Sequence, residues 1–138
     1  MTFASTPRTE TTGAKTGRRI LVVDYNKDFV ATIRVLLELN GHYVEVAFDG
    51  HAGLEAAIRT EPDVVVLEVG LPKLNGYELC HRIRGQRLAR QPIIICATGW
   101  AQLIDRELEQ YAGFDAHLVK PFVYEELSTL LESARVRS

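Results

Sequence analysis

Apolar and polar positions along this chain sort into short buried strands and longer amphipathic helices. Ile20-Leu-Val-Val23 is an apolar run that ends in Asp24, and Tyr25-Asn26 makes the turn behind it, with Asn26 placed to cap a helix. Phe29, Ile33, Leu36 and Leu37 then recur at helical spacing up to Asn40-Gly41, a pair suited to a left-handed cap. Tyr43 to Ala47 alternates around Glu45, the pattern of an edge strand. Asp49-Gly50 opens a second helix with Leu54, Ala57 and Ile58 inward. Glu61-Pro62 ends it, because the residue before proline disfavours the helical conformation.

The next run, Val64-Val-Val-Leu67, carries no charge and stops at Glu68, with a glycine and a proline close behind. Such a run predicts a strand covered on both faces, as in a parallel sheet flanked by helices. Asn75-Gly76 starts a helix with Leu79 and Ile83 inward, and Pro92-Ile-Ile-Ile-Cys96 is a further apolar strand left through Ala97-Thr98-Gly99-Trp100. A fourth helix uses Ile104, Leu108 and Tyr111 and ends at Gly113. The strand His117-Leu118-Val119 then delivers Lys120-Pro121, and a last helix carries Leu127, Leu130, Leu131 and Ala134. Phe29, Tyr111 and Phe114 are expected in the core. The repeated strand-helix order predicts an α/β, flavodoxin-like (βα)5 doubly wound parallel sheet, and right-handed crossovers favour the strand order 2-1-3-4-5.

Composition narrows this to one domain. The chain has 138 residues, 46% hydrophobic and 25% charged, as in an ordinary soluble globular protein. Residues 1–18 are rich in Thr, Ser, Gly and Ala without periodicity and are expected to form a disordered tail before a domain over 19–136. A formal net charge of -2 with no basic cluster implies no nucleic-acid partner. No apolar run approaches the roughly 20 residues of a membrane span, and no signal-peptide core is seen, so a cytoplasmic protein is expected. Cys80 and Cys96 lie in apolar surroundings without metal-ligand spacing, as buried free thiols do, and His42, His51 and His81 show no ligand spacing either.

Four polar residues fall at equivalent places: Asp24 after the first strand, Glu68 after the third, Thr98 after the fourth and Lys120 after the fifth. In the order 2-1-3-4-5 they meet on the carboxyl rim, where open α/β sheets gather their chemistry. Two carboxylates, a hydroxyl and an ammonium are the parts needed to hold a metal-bound phosphoryl group. The same groups can also simply satisfy one another, with Lys120 paired to the acids.

Ile20-Leu-Val-Val-Asp-Tyr-Asn26, Glu68-Val-Gly-Leu-Pro-Lys-Leu-Asn-Gly-Tyr-Glu78, Ala97-Thr-Gly-Trp100 and Lys120-Pro-Phe122 resemble the signatures of response-regulator receiver domains of two-component signalling. The resemblance covers Arg19 to about Arg135, and Ala112-Gly-Phe-Asp-Ala-His-Leu-Val-Lys-Pro121 is especially similar to receivers attached to hybrid sensor kinases. It implies a receiver that is not an enzyme, standing alone without a kinase or DNA-binding region. In that family a strand-three aspartate takes phosphate from a phosphohistidine. A pair of acids after strand one holds Mg²⁺, together with the phosphoacceptor and the carbonyl of the residue two beyond it.

Asp24, Thr98 and Lys120 match this set, and Gly70 stands where the carbonyl ligand is expected. Tyr25 replaces the second acid and Glu68 replaces the phosphoacceptor. Mg²⁺ usually takes one or two carboxylates, and a phenol is a poor substitute, so a metal site of Asp24, Glu68 and Gly70 is expected to be weak or absent, with no other cofactor. The extra methylene of Glu68 moves its carboxylate on the order of 1 Å, a displacement that can cost roughly a hundredfold in a positioned reaction. The resemblance therefore implies an atypical, phosphorylation-independent interaction module. The alternative is a genuine phosphoacceptor served by a histidine kinase through unusual ligands.

Glu68 itself has two readings: a partial mimic of the phosphorylated state, or a fixed ion pair with Lys120 that locks one state. The locked reading is favoured because a carboxylate has about one charge and lacks a phosphate's three acceptor oxygens. His117, three residues before Lys120, stands at the switch position of receivers, with a solvated edge histidine as the plain alternative. Trp100 is expected near the pocket mouth. Partners implied are a histidine kinase, a regulator or an effector. They would meet the face of helix four, strand five and helix five, which holds Gln102, Asp105, Arg106, Glu109, His117, Val123 and Tyr124. A homodimer through that face is compatible with the same pattern.

Overall fold

Strands and helices alternate through residues 17–99 and 106–133, the residues that the computed structural model describes. They are β1 (Arg19–Val23), α1 (Lys27–Leu39), β2 (Tyr43–Ala47), α2 (Gly50–Thr60), β3 (Val64–Leu67), α3 (Gly76–Arg84), β4 (Ile93–Thr98), α4 (Arg106–Ala112), β5 (Ala116–Val119) and α5 (Tyr124–Ser133). All neighbouring strands are parallel, in the order β2-β1-β3-β4-β5. The doubly wound flavodoxin-like sheet expected from the periodicity is the fold observed, with β2 at one edge.

The uncharged strand runs exist because both sheet faces are covered. Ile20, Val22, Val64, Val66, Ile93 and Ile95 pack with Val30, Ile33 and Leu37 of α1 and Leu127 and Leu131 of α5. The alternate residues Leu21, Val23, Val65, Leu67 and Ile94 pack with Ala56 and Ala57 of α2, Leu79, Cys80 and Ile83 of α3, and Ala112 of α4. Three helices start on a side-chain cap: Asn26 accepts from the Phe29 N–H at 3.0 Å, Asp49 from Ala52 at 2.8 Å and Asn75 from Glu78 at 2.9 Å. Each cap answers an N–H that the helix leaves without a partner. Cys80 and Cys96 are buried and form no disulfide, as expected.

Several inward assignments are corrected. Ile58 is 44% exposed; α2 buries Ala57 as expected, with Gly53 and Ala56 on the same face. The helix lies so close to the sheet that a Cβ on Gly53 would meet Val23 Cγ1 at 2.9 Å, which leaves no room for a large side chain on that face. Leu108 and Tyr111 are 43% and 48% exposed, and the small Ala112 makes the inner contact of α4. Tyr111 stacks on His81 of α3 instead, with ring centroids 3.9 Å apart and planes 13° from parallel. Thr98 is the last residue of β4, not part of the turn beyond it. Ile104, Ala134, Trp100, Gln102 and Asp105 lie outside the described residues, as does nearly all of the expected disordered tail. Among the described residues, no helix is long and apolar enough to cross a membrane.

Candidate functional site

The sheet ladder carries on past the strand ends and so sets where the rim residues stand. Asp24 N–H donates to Ala47 O at 3.1 Å, Glu68 N–H to Val23 O at 3.1 Å, and Lys120 N–H to Thr98 O at 3.0 Å. Asp24, Glu68, Thr98 and Lys120 are thereby brought together, as the strand order requires. Asp24 and Glu68 are each 2% exposed and Thr98 is 1% exposed.

Their side chains form one closed network. Lys120 Nζ donates to Asp24 Oδ2 at 2.6 Å and to Glu68 Oε1 at 3.1 Å. Thr98 Oγ1 donates to Glu68 Oε2 at 2.7 Å, and the Gly70 N–H donates to the same oxygen at 3.1 Å. The remaining Asp24 oxygen, Oδ1, accepts the Asn26 N–H at 2.9 Å. All four carboxylate oxygens are therefore met by donors of the chain itself, as buried polar groups generally are. Burial acts to lower the Lys120 pKa, but its hydrogen bond and charge attraction to Asp24, and then to Glu68, outweigh that and raise it above 10.5.

The oxygens of Asp24 and Glu68 are engaged by the chain's own donors. The Lys120 ammonium already bridges the two carboxylates, Gly70 meets Glu68 through its N–H, and Tyr25 stands 51% exposed beside the pocket. Among the described residues, no group of three or more His, Cys, Asp or Glu side chains could hold a metal ion.

His117 lies on β5, an edge strand of the sheet. It is partly buried on β5 with its Nε2 shielded from solvent, and its ring meets that of Phe114 edge-on at 5.5 Å. Phe29, assigned to the core by its spacing, is partly buried, and its ring lies under the Lys120 ammonium, 4.2 Å from Nζ to ring centroid. Nothing in the sequence pattern separates this aromatic from a core residue.

An α/β sheet of this order, with acids, a hydroxyl and a lysine on its carboxyl rim, defines a class of signalling receivers. Residues 20–132 match the response regulator receiver domain, and the chain belongs to that family. It is 35% identical over 121 residues to the alkaline phosphatase synthesis transcriptional regulatory protein PhoP of Bacillus subtilis, covering 88% of this chain and 50% of that protein. It is 40% identical over 111 residues to the response regulator MprA of Mycobacterium leprae, covering 79% of this chain and 47% of that protein. The chain thus spans about half the length of the curated relatives it matches. Among solved structures, the receiver domain of the sensor histidine kinase PA1611 from Pseudomonas aeruginosa is similar, with TM-score 0.78 and 33% identity over 86% of this chain and 97% of that one. That structure has a magnesium ion coordinated in its active-site cleft.

Proposed function

We propose that this receiver domain works as a phosphorylation-independent interaction module, with Glu68 holding its site in one state. The observation that carries the reading is the Glu68 carboxylate, which takes hydrogen bonds from Thr98 Oγ1, the Gly70 N–H and Lys120 Nζ. A hydroxyl, an amide and an ammonium are the donors that a phosphoryl group on this rim would use. With them committed, an incoming phosphoryl group finds neither a free acceptor oxygen nor free donors. Mg²⁺ binding is weak for the same reason.

The partner in this reading is another signalling protein, a histidine kinase, a regulator or an effector, met in the cytoplasm on the face of α4, β5 and α5. Leu108, Val119 and Val123 are 43%, 54% and 60% exposed there and supply the apolar surface that such a contact needs. A homodimer would use the same face.

Incubation with a small phosphodonor and Mg²⁺, read by intact mass, tests the proposal. No mass gain is expected. A hydroxylamine-sensitive gain of one phosphate on Glu68 would establish the alternative, a genuine phosphoacceptor. The double change Tyr25→Asp with Glu68→Asp is expected to restore both Mg²⁺ binding and phosphodonor reactivity.

A further inference from the structure

Lys120 is held by a third group besides the two carboxylates. Its Nζ lies 4.2 Å from the centroid of the Phe29 ring, within the range of cation–π attraction, and its side chain is only 20% exposed. The Phe29 ring is in turn fixed by Phe122, which meets it edge-on at 6.0 Å and 77°. Backbone contacts tie the same ring to the acids. The Phe29 N–H donates to the Asn26 side chain, and the Asn26 N–H donates to Asp24 Oδ1. The first turn of α1, Asp24 and the segment that follows Lys120 thus hold the ring as one unit.

We propose that Phe29 is a positioning residue whose ring face holds the Lys120 ammonium between Asp24 and Glu68. The chain's own cation, and not a divalent ion, is then the resident partner of the two acids. This rests on the closed-site reading given above and names what keeps the site closed. An aliphatic side chain of similar size fills the same space, but only an aromatic face attracts the cation. Without that attraction the ammonium leaves the bridge more often, and Mg²⁺ meets two carboxylates whose bridged oxygens are free.

The test uses the full chain with Phe29→Leu, Phe29→Met and Phe29→Tyr, each checked for folding by circular dichroism. Two properties are read at one fixed pH: the mobility of the Lys120 side-chain ammonium by ¹⁵N NMR, and Mg²⁺ affinity from the Asn26 and Gly70 amide shifts. Phe29→Leu is expected to increase Lys120 mobility and to tighten Mg²⁺ binding by between about twofold and thirtyfold, the range of one cation–π contact. Phe29→Tyr is expected to keep both properties of the unaltered chain. Phe29→Met decides if the leucine variant does not fold. Unchanged mobility and Mg²⁺ affinity in the aliphatic variants would overturn the proposal, as would a tyrosine variant that behaves like leucine. A phosphate gained on Glu68 of the unaltered chain would instead remove the closed-site reading, and the Phe29 variants would still show separately whether the ring positions Lys120.

Discussion

At the amino end of the sheet, two aspartates each precede a strand and accept the backbone N–H of the neighbouring strand. Arg19 N–H donates to Asp63 Oδ2 and Ile94 N–H to Asp115 Oδ2, both at 2.8 Å. At the carboxyl end, Asp24 and Glu68 receive instead a side chain that comes from 96 and 52 residues away, Lys120. The cations are arranged differently: Arg90 reaches Asp63 at 4.0 Å and Arg84 meets Asp115 at 2.8 Å, one cation to each acid, whereas Lys120 lies 2.6 Å from Asp24 and 3.1 Å from Glu68. Acids at the amino end each close one position of the sheet's own ladder, so their role is structural. Acids at the carboxyl end are joined to one another through Lys120, which is what makes that end a site. The sharing of one cation by two acids, more than the number of charges, separates the two.

The comparison breaks most visibly with Lys120→Met. Removing one partner of a buried ion cluster leaves carboxylates uncompensated, so a loss of about 3–5 kcal/mol is expected in urea unfolding. Adding Asp24→Asn and Glu68→Gln to that variant is expected to recover part of it. A loss no larger than that of a surface pair would mean that the two ends of the sheet do not differ.

At the amino end, Asp115→Ala orphans the buried Ile94 N–H and takes one carboxylate contact from Arg84, which lies 2.8 Å away. About 1–3 kcal/mol is expected by the same measurement, because a buried donor loses its acceptor. Asp115→Asn keeps an acceptor oxygen and is expected to cost less.

Alkaline titration sharpens the comparison further. The Lys120 pKa is raised in the folded state from its ordinary 10.5, so its contribution is complete below that value. Stability is expected to fall as the pH climbs from there through the raised folded value, and Lys120→Met should remove that part of the decline. A variant that keeps the full decline would place its origin elsewhere. The smallest effect belongs to the exposed α1 pair Arg34 and Glu38, 3.2 Å apart: Arg34→Ala is expected to change stability by about 0.3–0.5 kcal/mol.

Much of this was legible from residue order. Strands covered on both faces read as uncharged runs, so β1, β3 and β4 and their helices could be placed, and the placement brought Asp24, Glu68, Thr98 and Lys120 to one rim. The helical period was less informative about which edge of a stripe turns inward. Ile58, Leu108 and Tyr111 looked like core residues, yet beside the expected Ala57 the inner contacts of α2 and α4 are made by Gly53, Ala56 and Ala112. Close approach of a helix to a sheet selects small residues, and a hydrophobic count favours large ones.

Strand order, the caps at Asn26, Asp49 and Asn75, and the four rim residues follow from local patterns of one chain, because backbone geometry turns spacing into direction. Their pairing does not. That Lys120 bridges two acids, that Gly70 offers its N–H to Glu68, and that Phe29 lies beneath an ammonium from the far end of the chain are matters of distances between elements. Packing alone sets those distances, and electrostatic attraction changes its strength within a few ångströms.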